Sequence, residues 1–461
     1  MSQTNHIALV ALLASAMSAG AGAVTAVAEP VPEKSAATVA GLAGDSQGEQ
    51  WNTSWLASPQ ALWGPDFVLP TNIPARLHGQ SVRELIRLSA GGSRLRLVFS
   101  NRYGSTPLTI GEVRVARAPG GIPARGDSGM RLTFGGRRTV TVPPGADAQS
   151  DPLPVELAAL TRLAVSSYYP HKTALSTFHW GGQQTALVKA GNATAASAFD
   201  HAQLVQGRLF LTAAQVAGAP GTRTVVAFGD SITDGNGSTP DHDRRWTDYL
   251  AQRFAGQGVA VANAGISGAR VLGARMGDAA LARFEHDVLA VPGAKSVILL
   301  MGINDIGWPG SPFAPQEPAL DLARLTGAYQ QLIARARLRK LRIIGATLPP
   351  FEDALHGTPF AGHFSPAKEV QRQQLNAWIR NAGAFDQVVD FDALLRDPAR
   401  PARMRAGYDS GDHLHPGDAG YKAMADAFDL GMLFGDVADG AAVDAAAGTA
   451  VEVAVEPRAT P

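Results

Sequence analysis

The chain contains no cysteine. That absence excludes disulfides, a thiol nucleophile and thiolate metal sites, and leaves the compartment to be read from other features. An excess of either charge is also missing: 40 basic and 40 acidic residues cancel, and neither sign forms a dense run. Neither nucleic acid nor an anionic membrane surface is therefore indicated as a partner, and an electrically bland substrate fits better. The apolar run Ile7 to Ala14 falls well short of the roughly 18 to 20 residues that span a bilayer, so no stable membrane insertion is expected. What is present is ordinary globular composition: 461 residues, 45% hydrophobic, enough for two domains that each bury a core.

Met1 to His6 has no Lys or Arg, where an export signal normally carries positive charge. The segment that follows has the other parts of such a signal. Ile7-Ala8-Leu9-Val10-Ala11-Leu12-Leu13-Ala14 is a short apolar core, and Ala26-Val27-Ala28 before Glu29 is similar to a signal-peptidase site, with Ala21-Gly22-Ala23 as a second candidate. Residues 1–28 are thus expected to be a signal peptide of a secreted or periplasmic protein. Residues 29–50 lack apolar periodicity and read as a flexible leader, and residues 436–461, without turn signals or caps, read as a disordered tail.

Between these ends the texture changes once, shortly before Gly221. Over residues 51–216, short alternating or β-branched runs separated by Gly and Pro predict a β-sandwich: Ser81 to Leu88, Arg94 to Ser100, Thr109 to Ala116, Thr139 to Val142 and Leu163 to Tyr168. In Arg94 to Phe99 the residues Leu95, Leu97 and Phe99 share one face, expected to be core, while Arg94, Arg96 and Val98 share the other, expected to face solvent. Over residues 222–434 apolar strands alternate with amphipathic helices, which predicts a parallel sheet covered on both sides. The strands are Thr224 to Phe228, Val259 to Asn263, Ser296 to Met301, Leu341 to Thr347 and Gln387 to Phe391; the clearest helix is Pro318 to Lys340.

Four polar blocks sit where such strands end: Gly229-Asp230-Ser231, Asn263-Ala264-Gly265-Ile266-Ser267-Gly268, Gly302-Ile303-Asn304-Asp305, and Asp412-His413-Leu414-His415-Pro416. In open parallel sheets reactive groups collect in loops at the carboxyl ends of the strands, so these blocks should converge on one rim. Acyl transfer needs a nucleophile, a base, a group that orients the base, and donors for an oxyanion; the four blocks offer one of each. Singly, each has a plainer reading as a capped βα turn.

In their order and βα setting the four blocks resemble the SGNH hydrolases, also called the GDSL esterase and lipase family, over roughly Thr222 to Phe434. Ile232 stands where the family usually has Leu after Gly-Asp-Ser. The resemblance implies a flavodoxin-like, three-layer α/β/α domain with a five-stranded parallel sheet. It also implies that Ser231 is the nucleophile, that His415 is the general base oriented by Asp412, and that the amides of Ser231 and Gly268 with the Asn304 side chain form the oxyanion hole. No metal or organic cofactor is implied. An N-terminal β domain ahead of such a domain is similar to secreted bacterial esterases compared with xylan acetylesterases. The expected partner is thus a small-molecule or polysaccharide ester, deacetylation being favoured over a lipase or arylesterase of broad acyl range and over a carbohydrate O-acyltransferase.

Other residues invite chemistry but have quieter readings. His413 is the poorer partner for Asp412 by spacing. Asp241-His242-Asp243 reads as solvated turn and cap residues rather than a metal site. Trp308 is read equally as a pocket wall or a lid, and His356 and His363 as loop residues outside the catalytic set. The aromatic residues Trp51, Trp55, Trp63, Tyr103, Tyr168, Tyr169, Phe178 and Trp180 supply surface for sugar stacking, although core packing is the commoner use.

Overall fold

The computed structural model describes residues 49–121 and 127–435. The expected signal peptide, almost all of the leader, and the tail at 436–461 lie outside the described residues. The first half is built from β1 (Trp51–Leu56), β2 (Gln80–Arg87), β3 (Gly92–Ser100), β4 (Glu112–Arg117), β5 (Arg162–Tyr169), β6 (Thr177–Ala190), β7 (Gln203–Leu209) and β8 (Leu211–Ala217), with several shorter strands. They form two antiparallel sheets, β1-β8-β3 and β7-β6-β2-β5-β4, each extended by short strands. Leu95, Leu97 and Phe99 of the first sheet meet Val82, Ile86, Val113, Val115, Leu163 and Val165 of the second in one apolar core, which is the expected sandwich. The run Thr109 to Ala116 is not one strand. Leu108–Ile110 pairs with Val140–Val142, Glu112–Arg117 pairs with β5, and Gly111 marks the break, its N–H donating to the Tyr168 carbonyl at 2.8 Å.

The second half carries β9 (Arg223–Gly229), β10 (Val259–Gly265), β11 (Ala294–Leu300), β12 (Arg342–Ala346) and β13 (Gln387–Val389), all parallel, in the order β10-β9-β11-β12-β13. The order reverses beside β9, which places a switch point at its carboxyl end. The helices are α1 (Ser231–Asp234), α2 (Trp246–Arg253), α3 (Ala280–Phe284), α4 (Ile303–Gly307), α5 (Leu322–Leu338), α6 (Pro366–Asn381), α7 (Phe391–Leu395), α8 (Asp418–Asp426) and α9 (Leu430–Phe434). Helices α2, α7 and α8 pack together on one layer and α3, α5 and α6 on the other. Helix α5 buries Leu325, Ala328, Tyr329, Leu332, Ile333 and Ala336, the stripe that a 3.6-residue period places on one face. It begins later than its apolar pattern suggests because the Asp321 carboxylate accepts the Ala323 N–H at 2.9 Å and caps it there.

The two halves meet over a broad junction, and this overturns one expectation. The outer face of the first antiparallel sheet is only partly solvated: Arg94 and Arg96 keep partial exposure, while Leu56, Ala213 and the side of Val98 pack into the core of the α/β half. Strand β1 runs beside β10, the outermost strand of the parallel sheet. There the Ser89 hydroxyl accepts the Val261 N–H at 2.8 Å, satisfying an edge donor that would cost about 1 to 3 kcal/mol if buried without a partner.

Polar contacts complete the junction. The Arg162 Nε donates to Asp243 at 2.6 Å, and Arg87 lies 3.6 Å from both Asp243 and Asp248. The Asp241 carboxylate accepts the Thr185 N–H and hydroxyl and the Gln184 amide. Asp241 and Asp243 are therefore connectors between the halves, and Asp243 is buried rather than solvated.

Candidate active site

Strand β9 ends at Gly229, where a Cβ would overlap the Thr233 hydroxyl and the Leu300 carbonyl, so only glycine lets the chain turn there. Asp230 then caps α1, its carboxylate accepting the Ile232 N–H at 3.0 Å, and Gly235, with φ 105°, closes the helix. Ser231 is the first residue of this single turn and is 5% exposed. Ile232 fills the α/β core beneath it.

The second block is bolted to the first. Asn263 donates its amide to the Thr233 carbonyl at 2.7 Å and to the Thr247 hydroxyl at 2.9 Å. The Asp234 carboxylate accepts the Ser267 hydroxyl at 2.6 Å and the Ser267 N–H at 3.2 Å. Gly268 follows with φ 74°, and a Cβ there would meet the Met276 side chain. The third block closes on the second. Asn304, at the start of α4 after Gly302 (φ 115°), donates its side-chain amide to the Ala269 carbonyl at 3.1 Å, and the Asp305 carboxylate accepts the Val271 and Leu272 N–H groups at 2.8 and 2.9 Å. The Ser231 and Gly268 amide hydrogens find no protein acceptor among the described residues.

The fourth block arrives from the far end of the chain. His415 Nε2 lies 2.8 Å from Ser231 Oγ, and His415 Nδ1 lies 2.6 Å from Asp412 Oδ2. The other Asp412 oxygen accepts the Leu414 and His415 N–H groups at 2.9 and 2.8 Å, which holds the turn that aims the imidazole. His413, by contrast, has φ 62° and turns to Asp409, its Nδ1 2.5 Å from that carboxylate. The structure thus brings Ser231, His415 and Asp412 into one hydrogen-bonded line, and ties Gly268 and Asn304 to the Ser231 turn through the Ser267 and Ala269 contacts.

The electrostatics suit a base next to a hydroxyl. Burial disfavours the His415 cation, but the charge and hydrogen bond of Asp412, helped by Asp230 and Asp409, hold its pKa above the ordinary imidazole value. Burial also works against the Asp412 charge, yet His415 and the backbone N–H donors keep it well below the usual carboxylate range. Asp230 and Asp305 behave oppositely: burial pushes them up to about 7 and about 6 against their backbone donors. A hydroxyl beside an oriented imidazole in such a setting is able to pass a proton.

Residues left outside the expected set also have definite places. Trp308 is buried, stacked on Phe313 at 5.1 Å and beside Phe67 of the β half, with Arg270 4.7 Å above its ring. It is a packed member of an aromatic cluster shared by both halves, which also holds Met276 and borders Trp63 and Trp180. His356 is exposed. His363 is fully buried against Gly307, Phe313 and Phe351, neither ring nitrogen has a partner among the described residues, and burial pushes its pKa down to about 3, so it is neutral.

The contact that sequence reading missed altogether is His179 of β6, whose Nε2 is 3.0 Å from the Asp234 carboxylate. The single hint was the Gly181-Gly182 pair inside an otherwise regular strand, which marks a bulge.

The pattern of the GDSL-like lipase/acylhydrolase family matches residues 227–423. Similar solved structures include a lipolytic protein of the G-D-S-L family from Desulfitobacterium hafniense, with 22% identity over 44% of this chain and 96% of that one and a TM-score of 0.33. A carbohydrate acetylesterase from Sinorhizobium meliloti shares 18% identity over 44% of this chain and 95% of its own, with a TM-score of 0.35. An acetyl xylan esterase shares 20% over 44% and 96%, with a TM-score of 0.33. No curated protein matches the chain. With the α/β fold and the four blocks in place, residues 227–423 are a GDSL-like lipase/acylhydrolase domain, and the activity this domain supports is carboxylic ester hydrolysis.

Proposed function

We propose that the protein is a secreted serine esterase that removes small acyl groups, acetyl above all, from polysaccharide. The observation that carries the mechanism is the line Ser231 Oγ, His415 Nε2, His415 Nδ1, Asp412 Oδ2, with its end contacts at 2.8 and 2.6 Å. In the proposed cycle Ser231 Oγ attacks the ester carbonyl while His415 Nε2 takes its proton. The Ser231 and Gly268 N–H groups and the Asn304 amide donate to the oxyanion, and Asp412 stabilises the imidazolium. His415 then protonates the leaving alcohol, and water, deprotonated by the same imidazole, releases the acid from the acyl-enzyme.

Packing supports the short acyl group. The space beside Gly268 is occupied by Met276, backed by Trp308 and Phe67, all three buried. Trp63 and Trp180, only partly buried at the border of that cluster, offer ring edges and faces for sugar contact. The reading of export rests on the apolar run Ile7 to Ala14 and on Ala26-Val27-Ala28.

Ser231→Ala should leave a folded protein with turnover below about a hundredth of wild type, by the usual cost of losing a triad member; residual activity above that level in a purified sample would remove Ser231 from the role. Because His415 acts as a neutral base and its pKa is raised, protonation on acidification should silence the enzyme at a pH above the ordinary imidazole midpoint of about 6.5. A profile of kcat/KM against pH that stays flat down to about pH 4 contradicts the base assignment. Acetyl esters of a given alcohol should outperform octanoyl esters by about tenfold or more in kcat/KM, the scale of steric discrimination in a filled pocket; the reverse preference would make the enzyme a lipase. N-terminal sequencing of the exported protein should begin at Glu29, and recovery of the intact chain in the cytoplasm alone would overturn the localisation.

A further inference from the structure

Strand β6 is regular except at one place. Its pairing with β7 runs to Trp180↔Gly207 and resumes at Thr185↔Gln206, so Gly181 to Gln184 arch out of the sheet. Gly181, Gly182 and Gln183 all have positive φ, at 82°, 36° and 46°. For Gln183 that conformation is strained, and strained bulges persist where surrounding contacts hold them.

The arch is held from the α/β half. Gln183 donates its amide to Asn236 at 2.9 Å, its carbonyl accepts the Asp241 N–H at 3.0 Å, and a side chain at Gly181 would point at Asp234, Asn236 and Ser267. Just before the arch, the His179 ring is clamped between two acceptors, the Ser58 carbonyl 2.8 Å from Nδ1 and the Asp234 carboxylate 3.0 Å from Nε2. His179, Asp234 and Ser267 are buried to 4%, 1% and 1% exposure, so water does not substitute for these contacts.

Asp234 is the point at which this matters for chemistry. It lies one helical turn after Ser231, one of its oxygens faces His179, and the other accepts both the hydroxyl and the N–H of Ser267, the residue before Gly268. The Asp234 carboxylate thus joins His179 to the residue whose peptide carries the Gly268 N–H. We propose that His179 is a positioning residue: the β domain, through His179 and Asp234, holds the oxyanion loop in its productive orientation, so that the β domain is part of the catalytic apparatus. The inference rests on the oxyanion role given to Gly268 above. The junction has other ties, at Asp243 and Asp248, that reach no reacting group, so adhesion alone does not account for a buried histidine placed here.

The test compares His179→Ala, His179→Gln and Arg87→Ala in the full chain. Arg87 lies in the same junction but contacts Asp243 and Asp248. Each variant is measured for kcat and KM with p-nitrophenyl acetate, for the rate at which a fluorophosphonate labels Ser231, and for thermal unfolding. His179→Ala should lose about ten- to a hundredfold in kcat, the scale of a small misplacement at a reacting centre, with KM changed less than kcat. Labelling should slow in parallel, because phosphonylation of Ser231 also develops charge on an oxygen. His179→Gln, which keeps a donor toward Asp234, should recover part of the loss, and Arg87→Ala should lower the unfolding temperature without lowering kcat.

A folded His179→Ala enzyme with unchanged kcat and labelling rate overturns the inference, as does an equal loss in Arg87→Ala. If His179→Ala does not fold, Ser267→Ala, which removes the hydroxyl's contacts with Asp234 and Asn236, and Gln183→Ala, which removes its contact with Asn236, carry the test with His179 in place: both should lower kcat and the labelling rate, and unchanged values in both overturn the inference. An active Ser231→Ala variant would instead remove the mechanism itself, whatever the His179 variants do.

Discussion

The parallel strands β9 and β10 run in register from Arg223↔Val259 to Gly229↔Gly265, so the two chains leave the sheet at the same height. Both end in glycine, and neither has room for a Cβ: at Gly229 it would overlap Thr233 of α1 and the Leu300 carbonyl of β11, and at Gly265 the Thr233-Asp234 backbone of α1. The close crossing of two side-chain-free positions lets α1 sit directly on the Ser267-Gly268 loop. The Ser231 turn and the Ser267-Gly268 loop, which Asn304 meets through the Ala269 carbonyl, come together because backbone approaches backbone at this point.

A close crossing concentrates polar groups out of water, and the structure meets that cost in two ways. Most are paired: Arg283 donates to the Gly229 and Ala264 carbonyls at 2.8 Å each and to Asp287 at 2.8 Å, which serves the carbonyls exposed by the crossing. Others hold their charge less firmly. Asp230 and Asp305 are pushed up toward neutrality by burial, while Asp412, with His415 and three donors around its carboxylate, stays ionised. These opposite tendencies leave Asp412 as the most firmly ionised carboxylate beside the imidazole.

The β domain meets the same rim from below and from the side. It covers the edge of β10 through Ser89, supplies Phe67 to the aromatic cluster around Trp308, and reaches Asp234 through His179. A second polar path runs from Asp147 of the β half through His286 to Asp287 and Arg283, with His286 pushed up to about 9 by the two carboxylates that flank it. The site is thus supported from both halves of the chain, although all of its expected reactive residues come from the second.

By itself the sequence determined whatever depends on neighbours along the chain. Alternation in Arg94 to Phe99 marked the core face, apolar runs marked the parallel strands, and the three-residue spacing of Asp412 and His415 allowed a local turn to join them. It also carried the four blocks whose order pointed to the rim. The fold alone decided what depends on residues far apart: that Ser231 and His415 meet across 184 positions, that the outer face at Val98 is covered, that Asp243 is buried in an ion pair, and that His179 reaches Asp234. The reason is physical. Periodicity and capping are set by local backbone geometry and leave a pattern in the residues, whereas contact between folding units depends on how two finished surfaces dock, and a single buried histidine carries no pattern that names its partner.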